Sequence, residues 1–225
     1  MERSKVLEYF DAKKLVKKSV HVIGCGAIGS HVAEQLVRIG CEKIHLWDFD
    51  MVEPKNITNQ MFINDDIGKP KVDAVSSMAK RINPDVRIIK HPKGISSPFI
   101  VSGYVFLCVD SIGLRREIVE ANINNPNCKA FFDFRMRLTD AQHYFADNSQ
   151  RDQVENLLQT MNFTSEEAKE ATPLSACGVE LSVIYTVKAI VSYGIANFCK
   201  FCLGEVPKNL VMTDFTNMNT MVLPI

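Results

Sequence analysis

Gly24, Gly26 and Gly29 stand in the spacing G-x-G-x-x-G around Cys25, Ala27 and Ile28, directly after an apolar run and directly before a stretch with helical spacing. In that context the pattern is an anion cradle. Gly24 allows a tight turn, Gly26 lets a phosphate approach the backbone, and Gly29 lets helix and strand pack closely. The free N–H groups of the helix start, at Ala27 and Ile28, then face the anion. Asp48 follows Gly29 by 19 residues, at the end of the next apolar run, where a carboxylate accepts hydrogen bonds from ribose hydroxyls. By themselves these features suit a dinucleotide, so an NAD-dependent dehydrogenase is one reading.

The residues that follow point elsewhere. After Asp48-Phe49-Asp50 come Val52-Glu53-Pro54-Lys55-Asn56-Ile57-Thr58-Asn59-Gln60, then Asp66-Ile67-Gly68-Lys69-Pro70-Lys71, Arg81-Ile82-Asn83-Pro84, and Cys108-Val109-Asp110-Ser111 with Arg115 beyond. This ordered series resembles the ThiF, MoeB and HesA family, the adenylating domain shared with ubiquitin-activating E1 enzymes, over roughly residues 15 to 203. The resemblance implies that the glycine turn binds ATP rather than NAD. It makes Asp48 the ribose ligand with Asp50 beside it, Lys71 the phosphate-binding lysine and Asp110 the Mg²⁺ ligand. Asn56 and Gln60 fall on the asparagine and glutamine of the family's N-L-x-R-Q, with Gln60 counted in the catalytic set.

Transfer of AMP to a carboxylate requires charge to be stabilised on the α-phosphate and on departing pyrophosphate. Lys71 offers a mobile point charge, and Asp110 a hard oxygen ligand of the kind Mg²⁺ takes in small number. The acceptor implied by the resemblance is the Gly-Gly tail of a small ubiquitin-like or sulfur-carrier protein, and the implied assembly is a homodimer or a heterodimer with an E1-like relative. Asn59 stands on the family's arginine position. Arg115, Arg116 or Arg3 of a second subunit would have to supply that charge, or the chain is a nucleotide-binding but noncatalytic partner subunit.

Cys177 occupies the neighbourhood in which some relatives carry a thioester or sulfur-transfer cysteine, just ahead of a helix expected from about Gly178. The Cys199-Lys200-Phe201-Cys202 spacing offers only two thiolates inside an apolar helical segment, too few for a tetrahedral zinc site. The five histidines show no metal-ligand spacing, and structural roles are expected for them.

The elements that must position these groups alternate as in a doubly wound α/β sheet, mostly parallel and Rossmann-like, with antiparallel additions near the C-terminus. Strands are expected over 19–23, 44–47, 86–90, 104–109 and 129–134, and helices over 27–39, 71–81 and 114–123. An amphipathic helix is expected over 4–18, an antiparallel strand over 138–145, a crossing loop over 147–177 with one short helix at 152–161, a long helix to Leu203 closed by Gly204, and a terminal hairpin turning near Asn217. The whole of 1–225 is expected to form one unit. Of the 225 residues 46% are hydrophobic and 23% charged, which places the chain among globular proteins. Lys plus Arg number 26 and Asp plus Glu 26, so no net field gathers nucleic acid or anionic lipid. Seven cysteines without a disulfide framework and a charged N-terminus suit a reducing cytoplasm.

Overall fold

A continuous apolar run such as Tyr104 to Leu107 loses least by lying in the middle of a sheet covered on both faces, and there it lies. The computed structural model describes residues 2, 4–95, 98–170, 173–174 and 181–223. Its strands are β1 (Val20–Ile23), β2 (Lys43–Trp47), β3 (Arg87–His91), β4 (Gly103–Leu107), β5 (Cys128–Arg137), β6 (Asp140–Asp147), β7 (Leu210–Asp214) and β8 (Asn219–Leu223). They form one sheet in the order β3-β2-β1-β4-β5-β6-β7-β8. Strands β1 to β5 run parallel, and β6, β7 and β8 add antiparallel, as the sequence pattern leads one to expect.

The helices are α1 (Ser4–Leu7), α2 (Ala12–Leu15), α3 (Ala27–Arg38), α4 (Lys71–Ile82), α5 (Ile112–Asn122), α6 (Arg151–Gln159), α7 (Ser165–Glu170) and α8 (Ile184–Leu203). Alternation along the strands divides the apolar side chains between two cores. Val20, Val22, Phe106, Phe132 and Phe134 join Leu36 of α3, Val75 of α4 and Val187 and Phe198 of α8. Ile23, Val105, Leu107 and Phe131 face Ile118 of α5 and Leu157 of α6. Phe198 is the pivot of the first core, edge-on to Tyr104, Phe106 and Phe132 at 5.2, 5.5 and 5.6 Å.

Three local expectations need correction. The amphipathic stretch 4–18 is not one helix but α1 and α2, and the break between them seats Phe10, 1% exposed, against Phe198. The long helix begins at Ile184 rather than near Gly178, because residues 181–183 are not helical. The stretch 147–177 carries two helices, α6 and α7, among its described residues.

The sheet also gathers histidines that are scattered in the sequence. Parallel register sets His21 of β1 beside His45 of β2 and Trp47 of β2 beside His91 of β3. The rings of His21 and His45 stack at 4.4 Å, and Trp47 lies flat on His91 at 3.5 Å. Trp47 Nε1 donates to His21 Nδ1 (3.4 Å), His21 Nε2 meets the Ser102 carbonyl (3.3 Å), and His45 Nδ1 and His91 Nε2 share a hydrogen bond of 3.1 Å. His21 donates from Nε2 to the carbonyl and accepts at Nδ1, and the His45–His91 bond needs a lone pair on one of its two nitrogens, so the cluster is built for a neutral His21 and at least one neutral imidazole in the other pair. Burial, helped by the neighbouring imidazoles and Lys43, lowers His21 to about 4, and burial with His91, Lys43 and Arg87 lowers His45 to about 4. Burial also lowers His143, on β6, to about 4.

A histidine whose folded pKa is depressed below its unfolded value stabilises the fold fully above the unfolded pKa. That stabilisation is lost as pH falls from about 6.5 towards 4. His21 and His143, both buried, should each withdraw on the order of 1.4 kcal/mol per pH unit within that window. The urea midpoint is therefore expected to be flat between pH 7 and 8 and to fall steadily between pH 6.5 and 5; a profile level down to pH 5 would contradict it.

Candidate functional site

Backbone hydrogen bonds fix the two ends of the glycine turn. Gly24 donates to the Trp47 carbonyl (2.8 Å) and Cys108 to the Ile23 carbonyl (2.8 Å), which ties the ends of β1, β2 and β4 together. Gly24 has φ +91°, and a Cβ on it would come within 2.8 Å of Cys108 O; a Cβ on Gly29 would lie 1.8 Å from Gly24 O. At both positions only glycine fits. Gly26, by contrast, has nothing within 4 Å of where its Cβ would be. It is the N-cap of α3, and Ser30 N is the first amide to reach back to it, at 3.0 Å. The amides of Ala27, Ile28 and Gly29 therefore have no acceptor within their own helix, and the space over Gly26 is open. This is a fitting cradle for a phosphate.

Asp48 sits at the end of β2 and is clamped to the turn. Its Oδ2 accepts from Cys25 N (2.6 Å) and its Oδ1 from Asp50 N (2.8 Å), while its own amide donates to the His91 carbonyl (3.2 Å). Burial pushes its carboxyl above the ordinary value, and the two N–H bonds and Lys71 act in the opposite direction. Each oxygen keeps a lone pair, enough for a diol.

Lys71 opens α4. Its ammonium lies 2.7 Å from Asp50 Oδ2 and its amide 2.9 Å from Asp50 O, with the lysine side chain 10% and the aspartate 50% exposed. The approach is fixed by the preceding stretch, where Val52 N donates to Lys69 O and Gly68 N to Val52 O. The segment 56–61 docks on α3 from above. Asn56 Oδ1 accepts from Glu53 N (2.9 Å), His31 Nε2 bonds the Asn59 carbonyl (3.2 Å), and Met61 N donates to Ser30 Oγ (3.1 Å). Asn59 Nδ2 donates to Ser182 Oγ (2.8 Å), so its amide ties this segment to the approach to α8. Gln60 Oε1 is buried and has no hydrogen-bond partner among the described residues.

Asp110 follows β4, on the same edge of the sheet as Gly24 and Asp48. It is exposed and without a side-chain partner among the described residues; Ser111 rather than Asp110 caps α5, through a bond from Leu114 N to Ser111 Oγ (3.2 Å). Arg115, a possible phosphate cation from sequence, is not available for that purpose. It is 6% exposed and donates to the Leu107 carbonyl (3.1 Å), to the Val109 carbonyl and to Asp133. Arg116 is likewise engaged, with Glu120 (2.8 Å) and Asn162 (2.6 Å). Arg3 lies outside the described residues.

Asp133 also accepts from Arg135 Nε (2.8 Å). Burial would push this carboxyl up, but the two guanidinium groups hold it below the ordinary carboxylate range. The Asp133 cluster escaped the sequence reading, although an aspartate inside the run Phe131-Phe132-Asp133-Phe134 signals a buried charge that must find partners.

The described cysteines are poor thiolates. Burial pushes Cys25 and Cys108 well up, and Cys199 and Cys202 up to about 12. Cys177 lies outside the described residues, and the helix it was expected to precede starts only at Ile184. Among the described residues no three His, Cys, Asp or Glu side chains converge as a metal centre. No helix among them is long and apolar enough to cross a membrane.

The structure thus brings the glycine turn, Asp48, Asp50, Lys71 and the segment 56–60 into one region, with Asp110 on the same sheet edge. The ThiF family model matches residues 4–221 of this chain. Ubiquitin-like modifier-activating enzyme 5 of Drosophila virilis is 38% identical over 135 residues, which is 52% of this chain and 34% of that protein. The same enzyme of Aedes aegypti is 38% identical over 85 residues, 38% of this chain and 21% of that protein. The chain therefore spans about a third or less of the curated relatives it matches. A crystal structure of E. coli MccB with ATP superimposes at TM-score 0.77 with 16% identity, covering 94% of this chain and 65% of that one. SeMet PaaA superimposes at 0.72 with 17% identity, covering 95% and 65%.

Proposed function

Because this chain belongs to the ThiF family, we propose that it binds Mg²⁺-ATP on the C-terminal edge of its parallel strands and adenylates a carboxylate. The observation that carries this reading is the open cradle over Gly26, flanked by the clamped carboxylate of Asp48 and the ammonium of Lys71. Asp48 accepts the ribose hydroxyls. The amides of Ala27, Ile28 and Gly29 receive phosphate oxygens along the α3 axis, where the helix dipole favours negative charge.

Lys71 turns from Asp50 towards the phosphates as their charge grows, a short movement for a flexible four-carbon stem. Asp110 would hold Mg²⁺, which supplies charge neutralisation on the phosphates and needs few protein carboxylates. A carboxylate oxygen attacks the α-phosphorus, an O–P bond forms, the bond to the β-phosphate oxygen breaks and pyrophosphate leaves. No base is needed, since a carboxylate is ionised at neutral pH. Positioning and charge neutralisation supply the rate.

The acceptor is the C-terminal carboxylate of a ubiquitin-like or sulfur-carrier protein ending in Gly-Gly, and the working assembly is a dimer, with itself or with an E1-like relative. A cytoplasmic setting suits the six free cysteines among the described residues. A second reading, a nucleotide-binding partner subunit without catalysis, is favoured by one observation: Asn59 is neutral and its amide is committed to Ser182.

The test is ATP–pyrophosphate exchange with the chain and small acceptors that end in Gly-Gly. Acceptor-dependent exchange is expected. Tight ATP binding without exchange would move the assignment to the partner subunit, and preference for NAD over ATP would replace it with a dehydrogenase.

A further inference from the structure

Lys71 opens α4, which lies on one flank of α3. Helix α3 packs against α4 on one side and α8 on the other, with α4 over β3 and α8 over β5 and β6. Helices α3 and α8 run side by side in the same direction. Ser182, just ahead of α8, bonds Asn59, whose carbonyl accepts from His31 near the start of α3, and at the far ends Cys41 senses Cys199 and Cys202. Their register is fixed by Gln35 Nε2 donating to Ser192 Oγ (3.4 Å).

One turn back on each helix, towards the glycine turn, are His31 and Lys188. Lys188 is exposed and has no ion-pair partner among the described residues. Its ammonium acts to lower the buried His31, whose shift comes first from burial, while the Asn59 carbonyl and Glu34 act in the opposite direction. Glu34 is itself paired with Arg38 at 2.7 Å.

We propose that Lys188 is a second cation for the triphosphate, reaching past Asn59 to the start of α3 from the flank opposite Lys71. This inference rests on the nucleotide reading above. The chemistry asks for such a group. Lys71 already shares its charge with Asp50, Arg115 and Arg116 are bound elsewhere, and Asn59 brings no charge. A cation serving the outer phosphates should distinguish ATP from AMP, which keeps the ribose and α-phosphate contacts but lacks the rest.

The experiment is calorimetric titration of Mg²⁺-ATP and of AMP into the wild-type chain, Lys188→Ala and Lys188→Arg. Loss of one charge-assisted contact predicts that Lys188→Ala weakens ATP about tenfold or more and AMP less than about twofold, with Lys188→Arg recovering most of the ATP affinity. The NMR titration of His31 serves as the check that the variant is folded and the neighbour removed, since it should move up in Lys188→Ala. Equal changes for ATP and AMP, or none for either, would overturn the assignment of Lys188. A wild-type chain that binds neither nucleotide would overturn the nucleotide reading itself, and this inference with it.

Discussion

Asp110→Ala is expected to remove Mg²⁺-dependent ATP–pyrophosphate exchange, by about a hundredfold or more, while leaving the thermal midpoint within about 2 °C of wild type. The two halves of this expectation have separate causes. Asp110 is exposed and spends nothing on the fold, because Ser111 caps α5 in its place and no cation pairs with it among the described residues. A surface carboxylate with no partner contributes little to stability. Its proposed work lies wholly in bringing Mg²⁺ to the phosphates, where a lost ligand leaves the developing charge on pyrophosphate uncompensated. Unchanged exchange would remove Asp110 from the mechanism, and a large drop in the midpoint would show a structural role instead.

Asp133→Ala is expected to act the other way round, costing the fold about 3–5 kcal/mol, or roughly 6–20 °C in a chain of this size. Asp133 is fully buried between two arginines whose side chains are 7% and 15% exposed. Removing the carboxylate leaves both guanidinium groups in a low-dielectric interior with fewer partners than charges. Arg135 retains the carbonyl and hydroxyl of Thr160 and the face of Tyr144 at 4.4 Å, so the heavier loss falls on Arg115.

Arg115 also grips the carbonyls of Leu107 and Val109, the residues that lead to Asp110. Exchange should therefore fall in Asp133→Ala even below its unfolding transition, and Asp133→Asn, which keeps an acceptor, should retain more of both properties. A chemical-denaturation loss under about 1 kcal/mol would show that this buried cluster is not what supports the end of β4.

Most of the parallel half of the fold could be read from local signals. The glycine turn, the apolar run of β4, Pro84 after α4 and Gly204 after α8 each act within a few residues, and the expected boundaries lie close to those observed. What could not be read depends on pairing. His21, His45 and His91 become neighbours only through the register of β1, β2 and β3, and nothing in a single strand reveals its register with another.

The N-terminal stretch was misjudged because its 3.6-residue periodicity is the same whether it forms one helix or two short ones. The break follows the burial of Phe10, a tertiary event. Among the candidate site residues, Asp48 and Lys71 are visible as members of an ordered series. Arg115 stands among several candidate cations in the sequence, where a cation near a phosphate motif and a cation serving a buried carboxylate have the same one-letter code. Lys188 carried no sequence signal, because its place beside His31 is set by the packing of α8 along α3.

In the proposed site one nucleotide, with its phosphates, occupies the edge where β1, β2 and β4 end. Backbone amide chemical shifts recorded while Mg²⁺-ATP is added test it most directly. Saturable changes are predicted at Gly24 to Gly29 and at Asp48, Lys71 and Asp110, with the amides of Lys13 to Lys18 at the opposite end of the sheet unmoved. Saturation with changes confined to that lysine-rich end, or no change at the glycine turn at millimolar nucleotide, would contradict it.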